Sequence, residues 1–217
     1  NKFEINKYRV LFFLAAFSLL YCLLFEKKIY KKLEWLFAVY ALIFGLLLIF
    51  YVQPVKNSWD EQIHFDNAYK LSFTKNIDWT EAALNIKNIN TVTCNTKAEY
   101  AELREYMNQA GKVHVYTEKK ENIVPSYTVL AYVPQAIFLK LGRIFHFSFS
   151  LMYAFGKIGN LLLYISVMFW AIKIAKIKQL FLLFLTLMPT NLFLASSYTY
   201  DTVVFSFFTL GCVIWVN

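Results

Sequence analysis

The sequence predicts an all-α membrane protein: a multi-span helical bundle with a large external first loop of mixed α/β character and a helix lying in the membrane interface. Three observations predict it. The 217-residue chain is 59% hydrophobic and 17% charged, against about 45–50% apolar and about 25% charged in ordinary soluble domains. Its apolar residues fall into runs close to the ~20 residues a helix needs to cross a bilayer. Its lysines cluster beside those runs, as cytoplasmic anchors do. The net charge of +8 would suit nucleic acid, but no basic stripe falls on a soluble face, so no nucleic-acid partner is expected.

The elements follow in order. Segment 1–53 holds two N-terminal transmembrane helices, about 8–25 and 34–53. Between them EKKIYKK carries Lys27, Lys28, Lys31 and Lys32, a short basic loop that belongs in the cytoplasm. The second helix therefore leads outward. Lys2, Lys7 and Arg9 run against the same rule. No small-residue cleavage site follows the first run, so it is not read as a signal peptide. The chain starts at Asn1 and stops inside the apolar CVIWVN, and is read as a piece of a longer one. Cys22 and Cys212 lie in apolar runs and Cys94 stands alone, so all three read as unpaired.

Residues 54–126 are polar and too long for a tight connection. They form the external loop, with 54–147 placed on the external face. Within it NTKAEYAELREYMNQAG reads as a soluble helix, started by Asn95 or Thr96 and stopped by Gly111. KVHVY, 112–116, alternates like a short strand. Residues 127–147 are long enough to span, but spanning would put KIAKIK, 173–178, outside. Ile137, Phe138, Leu141, Ile144 and Phe145 share one helical face, Lys140 and Arg143 lie away from it, and Leu139 fits neither. This is the pattern of an interfacial helix, with Pro134 suited to its first turn. Segment 148–217 supplies three further transmembrane helices, about 150–172, 179–197 and 202–217, the last truncated and the second kinked by Pro189.

The chemistry concentrates where the second helix leaves the membrane, in SWDEQIHFDNAYK, 58–70. Ser58 and Glu61 have capping-box spacing, Asp60 would favour the first-turn dipole, and Trp59 would anchor at the interface. Capping alone thus accounts for two acids. Asp60, His64 and Asn67 also line one helical face, where a carboxylate beside an imidazole can serve as a general base. Asp60 with His64 or Asp66 offers the start of a divalent-ion site, without a recognised ligand spacing. Lys157 and Asn160 lie within the third span. A charge there is either functional or snorkels outward. With Lys140 and Arg143 it makes a basic cluster suited to phosphate. Asp201 ends SSYTYD on the same external side and can also cap the next helix. No nucleotide loop, H-E-x-x-H or C-x-x-C occurs.

Four pieces, DEQIHFDNAYKLS, YVPQAIFLKLGRIF, GKIGNLLLY and MPTNLFLASSYTYD, run in order from residue 60 to 201. The arrangement resembles the GT-C superfamily of membrane glycosyltransferases, and most closely the bacterial multi-span membrane proteins of domain-of-unknown-function family 2142. The N-terminal span departs from the simplest GT-C plan, and Lys157 stands where Arg is expected. The resemblance implies a GT-C-type bundle that moves a sugar from a polyprenyl-phosphate donor to a cell-surface glycan or lipid-linked acceptor on the external face. It implies Asp60 or Glu61 as the catalytic acid, Asp60 preferred because Glu61 has a capping role available. His64, Asp66 and Asp201 would support it, and Lys157, Arg143 and Lys140 would hold the donor phosphate. No cofactor beyond an optional divalent cation follows. The alternatives are a flippase for a lipid-linked glycan, using Lys157 and Asp201 as intramembrane charges, and a non-enzymatic membrane assembly protein.

Overall fold

The computed structural model describes Ala16, Ser18, Leu19 and residues 32–52, 60–73, 96–110 and 129–217. Its helices are α1 (Leu33–Val52, whose last turn from Leu48 is a π-helix), α2 (Glu61–Ser72), α3 (Lys97–Ala110), α4 (Val133–Ile144, entered through a 3-10 turn), α5 (Phe149–Ile174), α6 (Gln179–Thr186), α7 (Pro189–Ala195) and α8 (Asp201–Val216). Two of them, α1 and α5, are long and apolar enough to cross a membrane. The apolar α8 is shorter. The expected first span, 8–25, lies almost wholly outside the described residues. Within it Ser18 hydrogen-bonds the Tyr40 hydroxyl at 2.8 Å.

The expectation of a mixed α/β external loop is corrected. The described residues of that loop are helical, in α2 and α3, and no strand occurs among the described residues of the chain. The reason is periodicity. In α2 the buried positions are Glu61, His64, Phe65, Ala68, Tyr69 and Ser72, spaced three and four apart as on one helical face. Leu103 and Met107 do the same for α3. The strand expected at 112–116 falls outside the described residues. Thr96 and Glu99 form a reciprocal capping box at the start of α3, at 3.1 and 3.2 Å.

The run expected to be one kinked span, 179–197, is two short helices, α6 and α7. Proline has no N–H and clashes with the preceding turn. At Pro189 the carbonyl of Leu185 instead accepts from the Asn191 side-chain amide at 2.7 Å, and that of Thr186 from the Tyr164 hydroxyl at 2.5 Å. One half-buried and one buried side chain thus satisfy the carbonyls freed at the break.

Helices α1 and α5 run antiparallel: Trp35 meets Phe169, and Gly45 packs on Leu161. Lys32 at the start of α1 therefore shares one end of the bundle with Lys173, Lys176 and Lys178, while α2 and α4 pack around the other end of α5. α4 folds back along α5 through a Schellman turn at His146 (φ 54°), in which Phe147 N–H donates to Gly142 O at 2.9 Å. Leu139 faces α5 and is fully buried, whereas Ile137, Ile144 and Phe145 are exposed. The residue that fits neither face by pattern is turned to the protein, together with Gln135, Ala136 and Gly142. α3 closes the top, with Asn108 Oδ1 accepting from Ser150 N–H at 3.0 Å near the start of α5.

Two apolar cores result. One joins α1 to the C-terminal part of α5 and to α6 and α7, through Phe37, Ala41, Leu161, Met168 and Leu183. The other joins α2, α3 and α4 to the N-terminal part of α5, through Phe65, Tyr69, Leu139, Met152 and Tyr153. Lys157 and Asn160 lie on α5 between the parts that serve each core.

Candidate functional site

A polar layer separates the two cores. Its centre is an ion pair between Glu61 at the start of α2 and Lys157 in α5, 2.5 Å apart with both side chains fully buried. Lys157 Nζ also lies 5.0 Å from the centre of the Tyr153 ring. Asp60 occupies the N-cap of α2 in the left-handed region, φ 56°, without a side-chain cap bond. Glu61 is thus the first helical residue rather than the third, as Ser58 capping would require. Ser58 and Trp59 lie outside the described residues.

The second half of the layer is the connection between α7 and α8. Ser196, Ser197, Tyr198 and Thr199 are non-helical, or nearly so, and buried. Side chains from three other helices bind their backbone. Asn160 Nδ2 donates to Ser197 O at 3.0 Å, and also to Thr202 Oγ1 at 3.2 Å. Gln135 Nε2 of α4 donates to Thr199 O at 3.0 Å. Tyr198 N–H points to Glu61 Oε1 at 3.5 Å, and Tyr198 Oη donates to Tyr153 O at 2.7 Å. Gly156 lets this tyrosine approach, since a Cβ there would overlap its hydroxyl.

Beside this layer is a polar surface patch around His64, termed the mouth. His64 is buried, its Nδ1 bonded to the Tyr132 hydroxyl at 2.8 Å, with its ring stacked on Tyr132 and edge-on to Tyr200. The carboxylates of Asp201, Asp60 and Glu61 all act on it, but burial prevails and holds the imidazole below its ordinary 6.5. Asp60 and Asp201 are exposed. Thr199 fixes Asp201 by donating to Oδ2 and accepting from its N–H, both at 3.1 Å.

The structure thus gathers Asp60, Glu61, His64, Lys157 and Asp201, and leaves three other expected residues elsewhere. Asp66 pairs with Lys70 at 2.8 Å, further along α2. Arg143 donates to Ser72 O at 2.8 Å and lies 3.7 Å from the Phe73 ring centre, at the far end of α2. Glu61 and Ser72 stand eleven positions apart, about 16 Å of helix, so Arg143 and Lys157 do not share one phosphate. Lys140 is exposed on α4. Among the described residues no three His, Cys, Asp or Glu groups converge as a metal site. The divalent-ion option for Asp60 and His64 thus has no third such ligand among them. Sequence reasoning did not single out Tyr132, Gln135 or Tyr200. The one signal for Gln135 was a polar residue on the small-residue face of an otherwise apolar helix.

These features define a helical membrane protein with a polar, carboxylate-bearing mouth at the end of its bundle opposite the lysine-rich end. Residues 42–217 match the family described as predicted membrane protein (DUF2142), and the chain belongs to that family. No curated protein and no solved structure matches the chain.

Proposed function

We propose that this protein is a glycosyltransferase of GT-C type that moves a sugar from a polyprenyl-phosphate donor to a glycan or lipid-linked acceptor outside the cell membrane. The observation that carries the proposal is that two exposed carboxylates far apart in sequence, Asp60 at the start of α2 and Asp201 at the start of α8, both lie near enough to act on His64 through their charge. Asp60 takes the proton of the acceptor hydroxyl as its oxygen bonds the anomeric carbon. The bond from that carbon to the phosphate oxygen breaks, and the lipid phosphate leaves with its electron pair. Glu61 is the weaker candidate for this role because Lys157 neutralises it.

Topology supports the lipid donor. The lysine-rich end of α1 and α5 suits the cytoplasmic face, which puts the mouth outside. α4 is about 18 Å long, shorter than the ~30 Å hydrocarbon core. It packs lengthwise along α5, with Gly142 against Met152 and Gly159 against Phe138, so it stands beside that span and not in the interface plane as the sequence pattern suggested; Ile137, Lys140, Ile144 and Phe145 are exposed on it. The test is sugar transfer in proteoliposomes containing polyprenyl-phosphate sugars. Asp60→Asn should lower turnover by about 10²–10⁴-fold, the range for a general base. Full activity in that variant would remove Asp60 from the role.

The buried Glu61–Lys157 pair favours one other reading, a flippase for a lipid-linked glycan, since paired charges in a bundle often mark transport pathways. Transport of the lipid without sugar transfer would establish that reading instead.

A further inference from the structure

We propose that Gln135 and Asn160 are positioning residues, which set Tyr200 and Asp201 at the mouth by holding the buried connection between α7 and α8. The proposal rests on the reading of Asp201 as part of the mouth, but not on which reaction occurs there.

The connection has little regular structure of its own to fix it. From Ser196 to Thr199 it is no more than 2% exposed, and buried backbone groups need partners. Two carbonyls find theirs in side-chain amides from separate helices, Ser197 O in Asn160 and Thr199 O in Gln135. Both amides are themselves fully buried, so water cannot readily replace them. Helix packing alone would not need either: an apolar residue fits the buried face of α4 or α5 equally well. What the amides add is register. Thr199 is held through its carbonyl by Gln135, and its hydroxyl holds the Asp201 carboxylate at 3.1 Å. Asn160 reaches the next element as well, through Thr202 Oγ1 in the first turn of α8. Thr202 follows Asp201 directly. The two amides therefore clamp the chain on both sides of Tyr200–Asp201.

The placement can be read without an activity assay. His64 feels Asp201 more strongly than Asp60 or Glu61, the other carboxylates acting on it. Tyr132 Oη and Tyr200 also face it, and Lys157 stands behind Glu61. The chain has three histidines, few enough to follow individually by NMR in detergent micelles. Asp201→Asn should lower the His64 titration midpoint, because it removes a carboxylate that favours the charged imidazole. Gln135→Leu and Asn160→Leu should each shift it the same way. Adding either to Asp201→Asn should produce no further shift. Gln135→Met, close in shape and lacking only the amide, gives the same test if Gln135→Leu fails to fold, and Thr199→Val tests the last link to Asp201 on its own.

Unchanged His64 titration in folded Gln135→Leu, Asn160→Leu or Thr199→Val, with a shift in Asp201→Asn, would overturn the proposal. So would an unshifted Asp201→Asn. A wild-type protein that transfers no sugar, yet shows these shifts, would refute the glycosyltransferase reading and leave the clamp standing.

Discussion

Removing one member of the Glu61–Lys157 pair should be among the most damaging single changes available. Both side chains are fully buried and 2.5 Å apart. At an effective dielectric of ~20 the gross attraction at that distance is about 7 kcal/mol, much of it offset by the desolvation of two ions. Taking away one partner keeps the desolvation and loses the attraction. Lys157→Met and Glu61→Met should therefore each destabilise by about 3–5 kcal/mol. The double variant removes both charges and replaces them with apolar chains of similar length. It should be far less damaged than the sum of the singles, with a coupling of about 3 kcal/mol at the top of the usual range. Reversible unfolding in mixed detergent micelles measures all four states. Single variants costing less than about 1 kcal/mol, as surface pairs do, or strict additivity in the double, would refute a buried pair and the polar layer with it.

Three other outcomes follow from the same geometry. His64 binds its proton more weakly in the folded state than at its ordinary 6.5, so its stability contribution is full above that value and shrinks as pH falls from there toward the lowered folded value; melting temperatures across that window should show a slope that His64→Asn flattens. Gly156→Ala drives a methyl into the Tyr198 hydroxyl and should cost about 1–3 kcal/mol, whereas Gly211→Ala meets nothing and should stabilise α8 by about 0.5–1 kcal/mol; thermal melts of the two separate close packing from helix propensity. Arg143→Met removes a cation and donor from the last turn of α2, worth about 1–2 kcal/mol locally, and hydrogen exchange should quicken near Tyr69–Phe73 while the amides of Ile63 and His64 stay protected.

What the sequence made legible is what local pattern determines. The apolar runs that become α1 and α5 stand out because lipid-facing helices are apolar around most of their surface. The helix of α3 was readable from Thr96 and Glu99, which cap each other without outside help. Glu61 was the opposite case. Its S-x-x-E spacing with Ser58 is a local signal, worth about 1 kcal/mol as a cap, and it lost to a tertiary partner in α5. The signal that could have found the pair is Lys157 itself, because a lysine inside a span requires a counter-ion, and acids at one end of the bundle were its available partners. Pro189 announced a disturbance, but whether it kinks or breaks a helix depends on Asn191 and Tyr164 reaching the freed carbonyls. The mouth was half visible: Asp60, His64 and Asp201 carry charge or titrate, while Gln135 does its work through a single backbone carbonyl and looks like any amide.

The layer also gives the adjacent acids separable consequences. Glu61 is enclosed, neutralised by Lys157 and bonded toward the Tyr198 amide, so its carboxylate belongs to the joint between the two cores. Asp60 is exposed and makes no side-chain cap bond to α2, so Asp60→Asn removes charge from the mouth while leaving the joint intact. A loss of function in Glu61 variants therefore says little about chemistry, because the scaffold fails with them. The same loss in Asp60→Asn, with unfolding unchanged, isolates the mouth. Asp201 falls between these cases: exposed at its carboxylate, yet tied through Thr199 to the buried connection. If the mouth is a catalytic site, Asp60 and Asp201 variants should lose turnover at constant stability, whereas Gln135 and Asn160 variants should lose turnover together with stability, because each leaves a buried carbonyl without its donor. Those two patterns are what distinguish a group that touches substrate from one that places it.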